Sequence, residues 1–347
     1  MKVLTVTEPN KAVYSDIEKP IPTGRMMLVK VKRAGVCATD LSIFSGESAF
    51  VRSGQIKYPV RIGHEWSGVV ESVGEDVKDF KPGDKVISDS GISCGECEDC
   101  KAGRYEKCKF QRSVGTINAW DGCFAEYMYI PDFNAYHVPD NVSFDEAALI
   151  EPTAISYDAF RDFKITPDMT VAVIGIGAIG MSSIWLAKYF GAKNVIAIGL
   201  RDHKLKIAEK VGADTLINSR EQDPVAAVLE ATNGVGADFV IETAGKESAL
   251  TQAIQMTRLE GRISILSFYE EDISVPMSDI AMKYLTVKGG AGRFGNPAKV
   301  CKIMSEYDRK LTPIITHRVP FEKCLEVFEN EAKYHNDRIK VIVEFEE

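Results

Sequence analysis

Ten consecutive residues, Val171-Ala172-Val173-Ile174-Gly175-Ile176-Gly177-Ala178-Ile179-Gly180, constrain this chain more than any other stretch. A short β-branched apolar run reads as a strand buried within a parallel sheet. It breaks at Gly175 and passes at once into an apolar helical pattern through Met181, Ile184, Trp185 and Ala187. The glycines have GxGxxG spacing. Gly175 permits a tight turn, Gly177 lets main-chain N–H groups approach a pyrophosphate, and Gly180 lets helix and strand pack closely. Ala178 and Ile179 open the helix, whose free N–H groups and dipole favour an anion there. Residues 171–187 form an uncharged run of 17 residues, but it holds three glycines and two serines and has no second of its kind. A membrane span is disfavoured.

The rest of the chain sorts around this turn. At 347 residues it is long enough for two domains, and a net charge of −8 without a basic block argues against nucleic-acid or anionic-membrane partners. Up to about residue 150, short alternating runs are punctuated by Gly, Pro and Asp. Leu28-Val29-Lys30-Val31-Lys32 reads as a half-exposed strand, and strands at 67–74 and 84–87 follow. This predicts a mostly β domain, a partly open barrel. Ser143 three residues before Glu146 is a capping box, and Glu151-Pro152 is expected to end that helical run. From about residue 153 strands and helices alternate, which predicts a doubly wound parallel sheet. After about residue 293 a helix at 298–304 and terminal strands at 339–345 are expected to rejoin the first domain.

Cysteine usage points to metal. Cys94, Cys97, Cys100 and Cys108 fall within 15 residues. Four thiolates at that spacing close a tetrahedral zinc site with no position left for substrate. Disulfides between such neighbours are strained, and a ferredoxin-type cluster wants a different fourth-cysteine spacing and a following proline. Clustered metal-type cysteines fit a reducing compartment, and the N-terminus is too brief in apolar content for a signal peptide, so a cytoplasmic location is expected. Cys123, Cys301 and Cys324 are scattered and read as packing residues. Cys37, His64 and Glu65 offer thiolate, imidazole and carboxylate, a set that would leave zinc one open position. Glu151 in its apolar setting is either exposed, paired or metal-related.

Together, Cys37-x-Thr39-Asp40, Gly63-His64-Glu65-x-x-Gly68, the four-cysteine lobe, Glu151-Pro152 and the glycine turn resemble the zinc-containing medium-chain dehydrogenase/reductase family along the whole chain, most closely its polyol and sugar dehydrogenase branch. The resemblance implies a GroES-like mostly-β catalytic domain (residues 1–153 and 294–347) and a Rossmann dinucleotide-binding domain (154–293), with the active site in the cleft between them. It implies one catalytic and one structural zinc per chain, the former on Cys37, His64 and either Glu65 or Glu151. Thr39 matches the hydroxyl of the family's proton relay. Ser42 stands where many relatives carry histidine, so the relay runs through Thr39, Ser42 and water or differs altogether. Arg293 matches an arginine near substrate and cofactor. A homodimer or homotetramer is implied by the family alone.

Cofactor selectivity is read at the end of the second Rossmann strand, Ile198-Gly199-Leu200-Arg201-Asp202-His203-Lys204. An acid there would bind the ribose 2′-hydroxyl of NAD and repel a 2′-phosphate. Gly199 takes the expected acidic position, with Arg201 and Lys204 nearby, which favours NADP over NAD. A one-residue shift would restore an acid at Asp202. The expected reaction is hydride transfer between that cofactor and a secondary alcohol or ketone of a polyol, sugar acid or sugar phosphate. Threonine or simple alcohol oxidation is the alternative. A non-catalytic, cofactor-sensing protein is a further one, and an FAD-binding flavoprotein leaves the zinc ligands unexplained.

Overall fold

The computed structural model describes residues 1–269, 271–290, 296–330, 334 and 336–346. The chain divides into two compact units. One comprises Met1–Glu151, Pro297–Glu306 and Ile315–Glu347, the other Pro152–Asn296 and Tyr307–Ile314. The return of the chain is thus interrupted, since Tyr307–Ile314 packs with the second unit.

That second unit is built on six parallel strands: β1 (Thr170–Ile174), β2 (Asn194–Gly199), β3 (Thr215–Asn218), β4 (Ala237–Glu242), β5 (Thr257–Ile265) and β6 (Thr286–Gly289). Their spatial order is β3-β2-β1-β4-β5-β6, each pair parallel. The order reverses between β1 and β4, which is where a doubly wound sheet opens its ligand crevice. β1 is central, so Val171, Ala172 and Val173 are fully buried. This accounts for a continuous apolar run where a one-sided strand would alternate. Gly177 caps the helix Ala178–Tyr189, most of which is buried.

The first unit is mostly antiparallel. Its seven-stranded sheet runs Ile315–Pro320, Lys340–Glu344, Met26–Val36, Glu65–Val73, Lys85–Ser88 and Ala135–His137, with Tyr127–Pro131 also paired to Met26–Val36. The strand expected at Leu28–Lys32 lies within Met26–Val36, where Val29 and Val31 are buried and Lys30 and Lys32 are partly exposed. Met26–Val36 is paired along both edges, and Leu28, Val29 and Val31 are buried. Lys30 and Lys32 can lay their stems along apolar surface while their tips reach water. The expected stop at Glu151-Pro152 is corrected. Phe144–Ala148 ends near Leu149, and a new helix, Ile150–Phe160, starts with Glu151 and Pro152 in its first turn. Proline is tolerated there because those N–H groups have no helical acceptor.

Candidate functional site

Strand register assembles the first cluster. Gly35 lies opposite Glu65, and Val36 opposite Val341, so three neighbouring strands bring Cys37, Glu65 and Lys340 to one end of the sheet. Ligand atoms of Cys37, His64 and Glu65 lie within 4.8 Å of one another. A Cβ at Gly35 would collide with the Glu65 carboxylate, so the absent side chain is what admits it. Asp40, fully buried, braces the ligands from beneath. Its Oδ2 accepts from the Cys37 N–H at 2.9 Å, its Oδ1 from the Gly63 N–H at 3.1 Å, and His64 Nδ1 stands 3.4 Å from Oδ1. Burial opposes a charged His64, but Asp40's charge and hydrogen bond, with help from Cys37, hold it well above its ordinary pKa.

Lys340 is the residue that sequence reasoning missed. Its Nζ donates to both Glu65 oxygens, at 2.7 and 2.5 Å, and both side chains are almost wholly buried. Glu151 does not join the cluster of donors. Burial raises its carboxyl to about 7; His64 and Lys340 pull it down, while Glu65 and Asp89 push it up. It is therefore electrostatically coupled to the site. Thr39 lies in the first turn of the helix Ala38–Ser45. Ser42 Oγ donates to the main-chain carbonyl of Thr39 at 3.0 Å, a bond within that helix. The expectation for Arg293 lies outside the described residues.

The second cluster is local. Cys94, Cys97, Cys100 and Cys108 bring their sulfurs within 4.8 Å of one another, with all eight cysteines of the chain free. Main-chain N–H groups of Cys97 and Cys94 donate to Cys94 and Cys108 sulfurs, each at 3.3 Å. Such bonds from Glu96 and Cys97 draw the Cys94 thiol down to about 7. Burial pushes the Cys100 thiol up to about 12. The donor chemistry of both clusters suits zinc: four thiolates in a closed set, and a mixed thiolate, imidazole and carboxylate set with room for a further ligand.

The glycine turn lines a third site. Gly175 has φ +90°, a left-handed conformation, and a Cβ at Gly180 would collide with the Gly175 carbonyl. Thr243 Oγ1 locks the turn by donating to the carbonyls of Ile174 and Gly175, at 3.0 and 2.8 Å. A Cβ at Gly177 meets nothing within 4 Å, so the backbone faces open space that an anion can enter. The adjoining cavity, about 350 Å³, is lined by Gly175, Gly199, Arg201, Lys204, Ser219 and Lys246 among others. At Gly199 a Cβ would strike the Ile176 side chain, so an acid cannot be accommodated there without moving Ile176. Asp202 Oδ1 instead accepts from Asn218 Nδ2 at 2.8 Å. Among the described residues, no helix is long and apolar enough to cross a membrane.

Residues 24–140 match the alcohol dehydrogenase GroES-like domain, and residues 178–305 match the zinc-binding dehydrogenase domain. An L-threonine 3-dehydrogenase of Bacillus subtilis (strain 168) is 35% identical over 321 residues, 92% of this chain and 91% of that one. The sorbitol dehydrogenase of the same strain is 31% identical, over 91% of this chain and 89% of its own. A zinc-binding dehydrogenase from Sinorhizobium meliloti 1021, solved bound to NADP, superposes with a TM-score of 0.89 at 28% identity, covering 99% of this chain and 98% of that one.

Proposed function

This chain belongs to the zinc-containing medium-chain dehydrogenase/reductase family, and from that premise we propose that it is an NADP-preferring oxidoreductase acting on a secondary alcohol of a polyhydroxylated substrate. The observation that carries the reaction type is the gathering of Cys37, His64 and Glu65 around one point in a chain that also carries a dinucleotide turn. Cys37, His64 and Glu65 would hold the catalytic zinc, and Cys94, Cys97, Cys100 and Cys108 the structural one. When bound, zinc would supply Lewis acidity at the alcohol oxygen and the nicotinamide would supply the hydride acceptor.

The chain's own residues do the rest. Asp40 fixes the imidazole and the Cys37 loop, and Lys340 holds Glu65 in place until another cation competes for it. Glu151 is the alternative carboxylate ligand, coupled to the site from outside the donor set. The Thr39 hydroxyl accepts the alcohol proton and passes it to water. Ser42 takes part only by giving up its bond to the Thr39 carbonyl. Gly175, Gly177, Ala178, Ile179 and Gly180 cradle the pyrophosphate. Arg201 and Lys204, with Ser219 beside them, meet the 2′-phosphate; the blocked position at Gly199 and the engaged Asp202 support this reading. Eight free cysteines support a cytoplasmic setting, and a homodimer or homotetramer goes with the family.

The relatives favour a second reading in which L-threonine, itself a secondary alcohol, is the substrate. One experiment separates these. Zinc-loaded protein is assayed with NADP and NAD against polyols, aldonic acids, sugar phosphates, L-threonine and simple alcohols. Turnover of one polyhydroxylated class with NADP is expected, and Arg201→Ala should lower kcat/KM for NADP by about 10- to 100-fold with little change for NAD. Preference for NAD overturns the cofactor assignment, and turnover of L-threonine alone replaces the substrate class.

A further inference from the structure

We propose that Glu242 biases the cofactor site toward the oxidised, positively charged nicotinamide over the neutral reduced ring. The inference rests on the nicotinamide reading above. Glu242 is the last residue of β4 and is wholly buried. Its Oε1 accepts from the N–H groups of Ala244 and Gly245, at 2.6 and 2.9 Å. Its Oε2 accepts from Ser267 Oγ and from Tyr269 Oη, the latter at 2.8 Å. All four donors are neutral. Among the described residues no Lys, Arg or His forms an ion pair with this carboxylate, which is unusual for a buried charge.

Its position gives that charge a consequence. The half-sheet β1–β3 carries the glycine turn and the cavity at Gly199, so it takes the adenosine and pyrophosphate. The half-sheet β4–β6 then takes the nicotinamide end, over the C-terminal ends of its strands. There the structure has a second cavity, about 610 Å³, walled in part by Ser267, Tyr269, Gly289 and Gly290. The two residues whose hydroxyls bind Glu242 are thus part of that wall. Two acids close to that cavity do have cations: Asp158 pairs with Arg161 at 3.2 Å, and Asp162 with Lys288 at 2.6 Å. Among the described residues Glu242 is the acid left without an ion pair, and it is bound by two residues of that wall.

Alcohol oxidation breaks the substrate C–H bond, moves its hydride to the ring carbon and cancels the ring's positive charge, while the hydroxyl proton leaves to water. A fixed negative charge therefore stabilises the state before transfer more than the state after it. At an effective dielectric constant of about 20, a unit charge about 12 Å from the ring shifts the ratio of the two affinities by about tenfold.

Glu242→Gln removes the charge and keeps the shape. The amide oxygen can take the two main-chain N–H groups, and the amide N–H groups can donate to hydroxyls that turn round. Dissociation constants of NADP+ and NADPH (or NAD+ and NADH, if those are the forms bound) are measured by calorimetry on zinc-loaded protein. The ratio Kd(oxidised)/Kd(reduced) is expected to rise about tenfold in E242Q, with thermal unfolding as the check on folding. Tyr269→Phe strips one donor and leaves the charge, so its ratio is expected to fall, by about two- to fivefold. It serves if E242Q does not fold. Parallel changes in both affinities, or an unchanged ratio in either folded variant, overturn the proposal. Failure of the unmodified protein to bind either form overturns the cofactor reading itself.

Discussion

The two candidate metal clusters both suit zinc and are built in opposite ways. The four-cysteine lobe draws every donor from 15 consecutive residues and fixes its sulfurs with its own main-chain N–H groups. The Cys37, His64 and Glu65 cluster draws its donors from two strand ends, and its supporting charges, Asp40 and Lys340, come from a helix and the far C-terminus. A local cluster can be complete without the rest of the protein. An assembled one is only as good as the sheet register beneath it, and in exchange it can keep a ligand position open. The lobe is therefore expected to serve stability and the assembled cluster chemistry.

Paired substitutions test that division most directly. His64→Ala is expected to cut kcat/KM of the folded protein by about 10³-fold or more while leaving zinc at the lobe in place. Cys100→Ala should do the reverse, lowering the unfolding temperature and zinc content before it touches the chemistry of the folded fraction. An inactive C100A protein with unaltered stability and zinc content at the lobe would mean the roles are exchanged.

The next largest effect belongs to Lys340. Its buried ion pair with Glu65 joins residues 275 apart in sequence. Lys340→Met leaves a buried carboxylate unpaired, which costs about 3–5 kcal/mol in the metal-free protein. Zinc at the assembled cluster supplies a replacement cation, so the variant's unfolding temperature should rise more steeply with zinc than the parent's, whose dependence comes through the lobe. Equal zinc dependence in the two proteins would falsify the idea that lysine and metal compete for Glu65.

The same contrast explains what could be read from the sequence. The glycine turn and the four cysteines are local, so spacing alone carried their chemistry, and the parallel sheet followed from strand and helix alternation. Cys37, His64 and Glu65 could be nominated by residue type, but only register brings them together. Lys340 and Gly35 carried no local signal: one looked like any strand-end lysine, and the other's role is the room it leaves for Glu65. Alternation at Leu28–Lys32 reported the partly exposed face at Lys30 and Lys32, but not that the strand runs from Met26 to Val36 and pairs on both edges. Glu151-Pro152 was misread because proline ends a helix and also begins one. Glu242 is silent in sequence, since its meaning lies in having neutral partners.

A smaller effect is expected at Asp40, whose contacts orient a ligand without contributing one. Asp40→Asn keeps the volume and one acceptor oxygen but removes the charge facing His64 Nδ1. Zinc affinity at the assembled cluster should fall about 10- to 100-fold, as is typical when a partner of a metal-bound imidazole is altered. Competition with a chromophoric chelator reads this, and zinc at the lobe should be released as in the parent.

The smallest effect is on the lobe's tether. Arg25 lies over the Phe133 ring at 4.8 Å and pairs with Asp132 at 2.8 Å, while Phe133 stacks on Tyr105 at 4.9 Å. Tyr105 in turn offers its carbonyl to Ser93 Oγ at 2.9 Å, next to Cys94. Arg25 is half exposed, so solvent screens much of both interactions and Arg25→Ala should cost about 1 kcal/mol or less. What separates this from a general loss of stability is where it acts. Amide exchange should quicken in residues 94–108 and zinc should leave the lobe faster, with kcat/KM and zinc at the assembled cluster unchanged. Uniform quickening across both clusters would show that the lobe is not an independent unit, and the division between a local site for stability and an assembled site for chemistry would then fail at its weakest joint.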